Sequence, residues 1–130
     1  FALGAEGVQM GTRMVATVES PIHTNWKDAI VAAAETDTVF LNRRHRPALR
    51  ALRTPYSEEL DADDGNVMAR FGDVRAVYFG GDLDAGIALS GQVAGRIEAI
   101  EPVADVIDRT VEEFAACIDG LAASYGTERD

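Results

Sequence analysis

The stretch Gly7-Val8-Gln9-Met10-Gly11-Thr12-Arg13 decides the fold. Residues 6–11 predict a short strand, with Val8 and Met10 on one face and Gln9 on the other. Gly11-Thr12 then leads into a helical stretch over residues 13–18. A strand that ends in glycine and a hydroxyl residue before a helix is typical of parallel α/β folds, in which ligands bind at the carboxyl ends of strands.

Such a turn is suited to a phosphate group. Free N–H groups and the dipole at the start of a helix favour an anion, and (β/α)8 barrels often hold a phosphate after strands seven and eight. Gly11 would let the ligand approach the backbone, and Thr12 would donate a hydroxyl hydrogen bond. An ordinary strand-to-helix turn explains the same residues, so the motif alone leaves both interpretations open.

The rest of the chain predicts mainly helices. Ser20-Pro21 is a helix start signal, and the helix is expected to run to about Ala34. Its expected buried stripe comprises Trp26, Ile30 and Ala33 or Ala34. Residues 36–41 are rich in β-branched side chains and predict a strand. Pro102 opens the last helix, whose apolar residues follow helical spacing: Val103, Val106, Ile107, Val111, Phe114, Ile118 and Leu121.

Four other segments carry expectations. Residues 56–69 are polar and predict a surface excursion. Residues 74–79 form an apolar run that fits a helix or a strand. Residues 82–95 are rich in glycine, alanine and serine, which suits a closely packed helix. Phe1 to Gly4 is typical of the last turn of a helix with Gly4 just after its end, so we expect sequence upstream of residue 1.

The amino-acid composition limits the class of protein to which this chain can belong. The 130 residues are 47% hydrophobic and carry a formal net charge of −10. The apolar content suffices for a folded core, and the acidic balance argues against nucleic acid. Cys117, the single cysteine, is expected to be buried in a helix. No metal site is expected, since the acidic runs lack calcium-loop spacing. No membrane span or signal peptide is expected either, which predicts a cytoplasmic protein.

Several pieces of the sequence, taken in order, resemble the nitronate monooxygenase family, formerly called 2-nitropropane dioxygenases, and the related flavin-dependent enoyl-acyl carrier protein reductases. The pieces are residues 5–13, 19–23, 36–38, 46–53, 81–86 and 90–95, together with Lys27. The resemblance implies the α/β class and the C-terminal part of a (β/α)8 TIM-type barrel that binds FMN. Residues 1–130 would be one segment of that domain, comprising the last barrel strand and a helical extension, with the other strands upstream.

The resemblance also implies site residues. The flavin phosphate contacts of the family correspond to Gln9, Met10, Gly11 and Thr12. The stretch Ser90-Gly91-Gln92 resembles a family segment near the flavin and substrate, although tight packing explains it as well. The catalytic histidine of the family lies upstream, so no catalytic residue is expected in this chain.

Neither histidine of the chain matches that catalytic residue. His23 is expected to be a structural or capping group. His45 is expected to face solvent from a basic loop.

The implied activity is FMN-dependent oxidation of a small-molecule nitronate by oxygen. A reductase of enoyl-acyl carrier protein or enoyl-CoA is the alternative, with NAD(P)H and an acyl carrier as further partners. The inosine monophosphate dehydrogenase group is a rival phosphate-binding barrel. A non-catalytic helical module that binds a partner through its apolar helix face or its arginine loop is another. The barrel interpretation predicts poor stability of the segment without the remainder of its own barrel.

A cluster of arginines stands out on this acidic chain. It comprises Arg43, Arg44, Arg46, Arg50 and Arg53. The functional interpretation is a patch for a phosphate-bearing partner. The interpretation that we favour is a solvated loop whose arginines pair with nearby acids such as Glu58 and Glu59.

Overall fold

The computed structural model describes residue 1 and residues 3–126. In chain order the elements are α1 (Thr12–Val15), α2 (Thr24–Ala32), β1 (Thr38–Leu41), β2 (Leu49–Leu52), α3 (Pro55–Asp61), α4 (Val74–Tyr78) and α5 (Val103–Tyr125). Short 3-10 helices lie at Val67–Arg70 and Ala94–Arg96. Strands β1 and β2 pair in an antiparallel hairpin, with Thr38 opposite Leu52 and Leu41 opposite Leu49.

The apolar side chains form two clusters. The first lies around Trp26 of α2 and joins α2, α4 and the segment before α5; it comprises Ala16, Trp26, Ile30, Leu52, Val77, Ala88, Ala94 and Ile97. The second lies under the hairpin and comprises Val39, Leu41, Ala51, Leu60, Val67 and Ile87. Burial of Trp26 and Ile30 confirms part of the stripe predicted for α2. The helix ends at Ala32, and neither Ala33, which is half-buried, nor Ala34, which is exposed, belongs to it.

The start of α2 differs from its prediction. The helix begins at Thr24, and the His23 side chain caps it by accepting a hydrogen bond from the Asn25 N–H at 3.1 Å. The His23 N–H donates to the carbonyl of Tyr78 at 2.9 Å, which fixes the chain where the helix starts. The prediction of a capping serine at Ser20 is therefore wrong, whereas the capping role of His23 is confirmed.

The predicted surface excursion is more ordered than its polarity suggested. Helix α3 starts with a reciprocal capping box between Thr54 and Ser57, which satisfies free N–H groups of the first turn. Leu60 and Val67 are 1% and 4% exposed. Only the outer side of this segment faces solvent, because these two apolar residues pack under the hairpin.

The prediction of a helix over residues 82–95 is wrong. Ile87–Ser90 instead lies beside β2, where the Leu52 N–H donates to Ala88 and the Ser90 N–H donates to the carbonyl of Arg50. The small residues allow close backbone contact, as expected, but they do so in an extended segment. A Cβ at Gly86, for example, would lie 2.9 Å from the carbonyl oxygen of Phe71. The apolar run at residues 74–79, whose sequence fits a helix or a strand, forms helix α4 up to Tyr78.

The segment that was predicted to be a strand, residues 6–11, lies outside the strands of the described chain. A strand is defined by hydrogen bonds to a neighbouring strand, and in the described residues this segment pairs with none. Val8 is 78% exposed. Near it, Gly4 has φ +93°, and its N–H donates to the Phe1 carbonyl. The helix end predicted for residues 1–4 includes Ala2, which lies outside the described residues.

Helix α5 confirms the prediction of a last helix after Pro102 in its position but not in its burial. Val106 is buried, whereas Ile107, Val111, Phe114 and Leu121 are between 45% and 61% exposed. Cys117 is exposed, so the prediction of a buried cysteine is wrong: residues 107–125 extend past the two clusters. Among the described residues, no helix is long and apolar enough to cross a membrane.

Candidate functional site

Gly11 forms the start of α1, at the centre of the predicted phosphate turn. Its φ of −91° and ψ of −70° are ordinary helical values, and its carbonyl accepts hydrogen bonds from Met14 and Val15 at 3.0 Å each. Apart from its own helix and chain neighbours, no atom of the described residues lies within 4 Å of the position that a Cβ would occupy. Neither backbone strain nor packing within the described chain therefore requires glycine here.

The residues flanking Gly11 differ in exposure. Gln9 is exposed and Met10 is half-buried. Thr12, half-buried, starts α1 with its hydroxyl oriented by a long-range contact. Its Oγ1 accepts a hydrogen bond from the Gly91 N–H at 2.6 Å, across 79 positions of sequence. The structure thus brings together the two predicted site segments, residues 9–12 and 90–92.

The Gly91 end of this contact is held by the hairpin. Ser90, 8% exposed, donates its N–H to the carbonyl of Arg50 in β2 at 3.0 Å. Its hydroxyl makes a 3.3 Å contact with the Gly91 carbonyl. Gln92 is exposed. Hydrogen bonds therefore run from β2 through Ser90 and Gly91 to the Thr12 hydroxyl.

The other side of α1 is tied to α5 by three charged residues. Arg13 donates to the Ala99 carbonyl at 2.8 Å and to the Glu101 carboxylate at 2.6 Å. Arg109 of α5 donates to both oxygens of the same carboxylate, at 2.6 and 2.7 Å. We call Arg13, Glu101 and Arg109 the arginine clamp. The bidentate Arg109 hydrogen bond, with the charge of Arg13 added, lowers the pKa of Glu101 below its usual 4.5.

Sequence reasoning missed the clamp. Arg13 and Glu101 lie 88 positions apart, and neither stands in a motif that pairs them. The residues line a cleft of about 500 Å³ between α1 and the start of α5. The sequence contained only a partial indication of the clamp, namely that Glu101 directly precedes Pro102 at the start of α5.

The histidines and the arginine loop are engaged elsewhere. His23 caps α2, and the half-buried His45 places its Nε2 3.1 Å from the Asp64 carbonyl oxygen, so His45 is less solvent-facing than predicted. Arg43, Arg44 and Arg53 pair with Asp61, Asp64 and Glu58 at 3.1, 2.5 and 3.4 Å.

The remaining members of the loop differ. Arg50 lies over the Phe40 ring at 5.5 Å and donates to the Thr38 hydroxyl at 2.9 Å, while Arg46 is exposed. Glu59 pairs with Arg70 rather than with the loop. The interpretation as a solvated, paired loop is confirmed for Arg43, Arg44 and Arg53. Among the residues that the structure describes, no group of three or more histidine, cysteine or acidic side chains is placed to hold a metal ion.

The likeness of this chain to solved structures assigns it to the class of TIM-type α/β barrel proteins, as one part of such a barrel. The solved structure of FabK from Thermotoga maritima superposes with a TM-score of 0.86 and 38% sequence identity, covering 95% of this chain and 41% of that one. The FabK M276A mutant from the same organism gives a TM-score of 0.81 and 37% identity, covering 95% and 39%.

The sequence comparisons give the family. The model of the family described as nitronate monooxygenase matches residues 1–113, and the chain therefore belongs to the nitronate monooxygenase family. A protein named "Probable nitronate monooxygenase" from Staphylococcus aureus strain Newman is 35% identical over 67 residues, which are 52% of this chain and 19% of that protein. The matched region is about a fifth of the curated relative, and the chain spans about two fifths of FabK.

Proposed function

We propose that the protein is an FMN-dependent oxidoreductase that oxidises nitronates with oxygen, and that residues 1–130 supply the C-terminal part of its barrel. The observation that carries this proposal is the turn at Gly11-Thr12: an open glycine face stands beside a hydroxyl whose oxygen already accepts from the Gly91 N–H. Family membership supplies the flavin chemistry, and the turn supplies a place for its phosphate.

The residues present fit an FMN phosphate. Glycine at position 11 has no packing or conformational cause within the described chain, and a ligand that approaches the backbone would explain it. Because the Thr12 oxygen accepts from Gly91, its own proton is free to be donated to a second acceptor. The two terminal nitrogens of the Arg13 guanidinium already donate to the Ala99 carbonyl and the Glu101 carboxylate. This turn would therefore bind the phosphate through neutral donors.

Each predicted site residue then has a proposed role. Backbone groups of Gln9, Met10 and Gly11 would line the phosphate, and Thr12 would donate its hydroxyl. Ser90, Gly91 and Gln92 would lie beside the flavin, with Gly91 holding Thr12. When bound, FMN would supply the electron transfer between substrate and oxygen, while these residues would supply binding and orientation.

A second candidate activity is reduction of an enoyl thioester by NAD(P)H. FabK, an enoyl-acyl carrier protein reductase of the same fold family, superposes on 95% of this chain at 38% sequence identity. The two activities differ in their reductant. Oxygen consumption on adding a nitronate supports the first, and NADH or NADPH oxidation that depends on an enoyl thioester supports the second.

The site is tested by Gly11→Leu in the full-length protein. The side chain would project into the open space where we place the phosphate, so we expect a folded protein that loses its FMN. Gly120→Leu is the matched control, because Gly120 in α5 also has no atom within 4 Å of its Cβ position. Flavin absorbance per polypeptide is the measurement. Unchanged FMN content in Gly11→Leu would show that the flavin phosphate does not bind at this turn.

Thr12 gives a second test of the same site. Thr12→Val keeps the shape of the side chain but loses both the donor and the acceptor, whereas Thr12→Ser keeps the hydroxyl. A hydrogen bond to a charged group contributes about 1.5–3 kcal/mol, so we expect FMN to bind at least about tenfold more weakly to Thr12→Val. Equal affinities of Thr12→Val and Thr12→Ser would show that the hydroxyl does not contact the ligand.

A further inference from the structure

Glu101 connects α1 to α5 through both its backbone and its side chain. Its carbonyl accepts from the Val18 N–H at 3.0 Å, in a parallel bridge between Thr17 and Glu101. Its carboxylate accepts from Arg13 and from Arg109. The two strong contacts of the carboxylate are charge-assisted hydrogen bonds, which fix geometry as well as adding energy.

Helix α1 needs an external support. It has four residues, hence about one turn, and so short a helix does not hold its own orientation through internal hydrogen bonds. Arg13 follows Thr12 directly, and its side chain is only 15% exposed. Arg13 therefore transmits the position of Glu101 to the residue that we place against the flavin phosphate.

We propose that Glu101 is a positioning residue for the flavin phosphate, acting through Arg13 on the Gly11-Thr12 turn. This inference rests on the proposed function. Within the described part of the chain, Glu101 makes no hydrogen bond to Gly11 or Thr12. It holds the Arg13 guanidinium against the Ala99 carbonyl, and Arg109 holds the carboxylate from the other side. The Thr12 hydroxyl is then fixed by Gly91 on one side and through the arginine clamp on the other.

Positioning and simple electrostatics predict opposite results for Glu101→Gln. The substitution removes a negative charge near a bound dianionic phosphate, so electrostatics alone would tighten FMN binding. If Glu101 positions the turn, the loss of the clamp weakens FMN binding. The sign of the change in affinity therefore separates the two effects.

The experiment measures the dissociation constants of FMN and of riboflavin for the full-length apoprotein by flavin fluorescence. Riboflavin carries the same ring and lacks the phosphate. We expect Glu101→Gln to weaken FMN binding about tenfold, the scale on which an outer residue that orients a binding group acts, and to leave riboflavin binding unchanged. Glu98→Gln is the matched control, because Glu98 is exposed and lines the same cleft.

Arg13→Lys serves as a second variant that keeps the charge. A lysine ammonium cannot reach the Ala99 carbonyl and the Glu101 carboxylate with the forked geometry of arginine, so FMN binding should again weaken while riboflavin binding does not. This variant decides the question if Glu101→Gln does not fold. Tighter or unchanged FMN binding in the folded variants, or an equal loss for FMN and riboflavin, overturns the proposal.

The outcome is separable from that of the proposed function. If Gly11→Leu loses FMN but Glu101→Gln and Arg13→Lys bind FMN normally, the turn binds the phosphate and Glu101 has no positioning role. If Gly11→Leu keeps its FMN, the phosphate site itself lies elsewhere, whatever the clamp variants show.

Discussion

Two regions of the chain contrast in how they are held. The hairpin region, residues 38–71, has a polar sequence, yet its apolar residues close into a cluster with Leu60 at 1% exposure. Helix α5 has a regular apolar pattern, yet Val111 and Phe114 are 61% and 49% exposed. Its start is joined to the rest of the chain by the arginine clamp.

The difference teaches that an apolar pattern identifies an element but not its partner. The hairpin region contains both sides of its own core and satisfies its helix ends with caps such as Thr54. The exposed stripe of α5 lies beside Phe1, whose ring meets that of Phe114 at 5.5 Å. We propose that, in the full-length protein, the remainder of the barrel covers this stripe around Phe1 and Phe114 and leaves its far end, at Cys117 and Leu121, exposed.

The largest expected effect is in the hairpin region. Leu60→Ala should destabilise the full-length protein by about 2–5 kcal/mol, since it leaves a cavity in a closed cluster. Leu121→Ala on α5 is the comparison, at a residue 45% exposed, with a loss under about 1 kcal/mol. Denaturant unfolding measures both. Equal losses would mean that other parts of the protein bury Leu121, and the contrast between the regions would disappear.

A smaller effect should follow removal of the α3 cap. Thr54→Ala loses the hydrogen bond to the Ser57 N–H, which is 3.1 Å in length, and should cost about 1 kcal/mol. Thr54→Ser keeps the hydroxyl and should retain most of that stability. The shift in the urea midpoint measures both variants. If the two variants were equally destabilised, the capping box would not be what orders this polar segment.

Acid should affect the clamp rather than the apolar cluster. Because the Arg109 hydrogen bond lowers the pKa of Glu101 below 4.5, ionised Glu101 contributes stability that is fully present above pH 4.5 and is lost as the pH falls through the lowered pKa. The stability difference between wild type and Glu101→Gln should therefore shrink in that window. Unfolding curves at several pH values measure it, and a difference that does not vary with pH would contradict the prediction.

The smallest effect concerns Cys117. Its exposed position on α5 predicts that Cys117→Ser changes stability by less than about 0.5 kcal/mol. A maleimide should label the native thiol in the full-length protein at the rate found for the unfolded chain. Slow labelling would place a further segment over this end of α5.

The sequence predicted elements where the pattern is local. The spacing from Val103 to Leu121 defines α5, and the family resemblance, now confirmed over residues 1–113, names the barrel. His23 was also recognised as a capping group. Ser20-Pro21 misled because it offers the same cap chemistry three residues earlier, and the contact of His23 with the Tyr78 carbonyl decided between them.

Contacts distant in sequence could not be predicted from spacing. The resemblance pointed to residues 9–12 and to residues 90–92 separately, and the hydrogen bond from Gly91 to Thr12 joins them only in the folded chain. The helix expected over residues 82–95 failed for a related reason. Its small residues suit close packing in any conformation, and pairing with β2 made the segment extended.

Glycines of this protein should respond differently to substitution, depending on whether a Cβ has space, as Gly81 and Gly11 illustrate. At Gly81, with φ +74°, a Cβ would overlap the His23 ring, so every substitution should reduce the amount of folded protein. At Gly11 a Cβ would meet no atom of the described residues within 4 Å. In a library scored separately for abundance and for bound flavin, variants at Gly81 should fail both scores, and variants at Gly11 should fail the second alone.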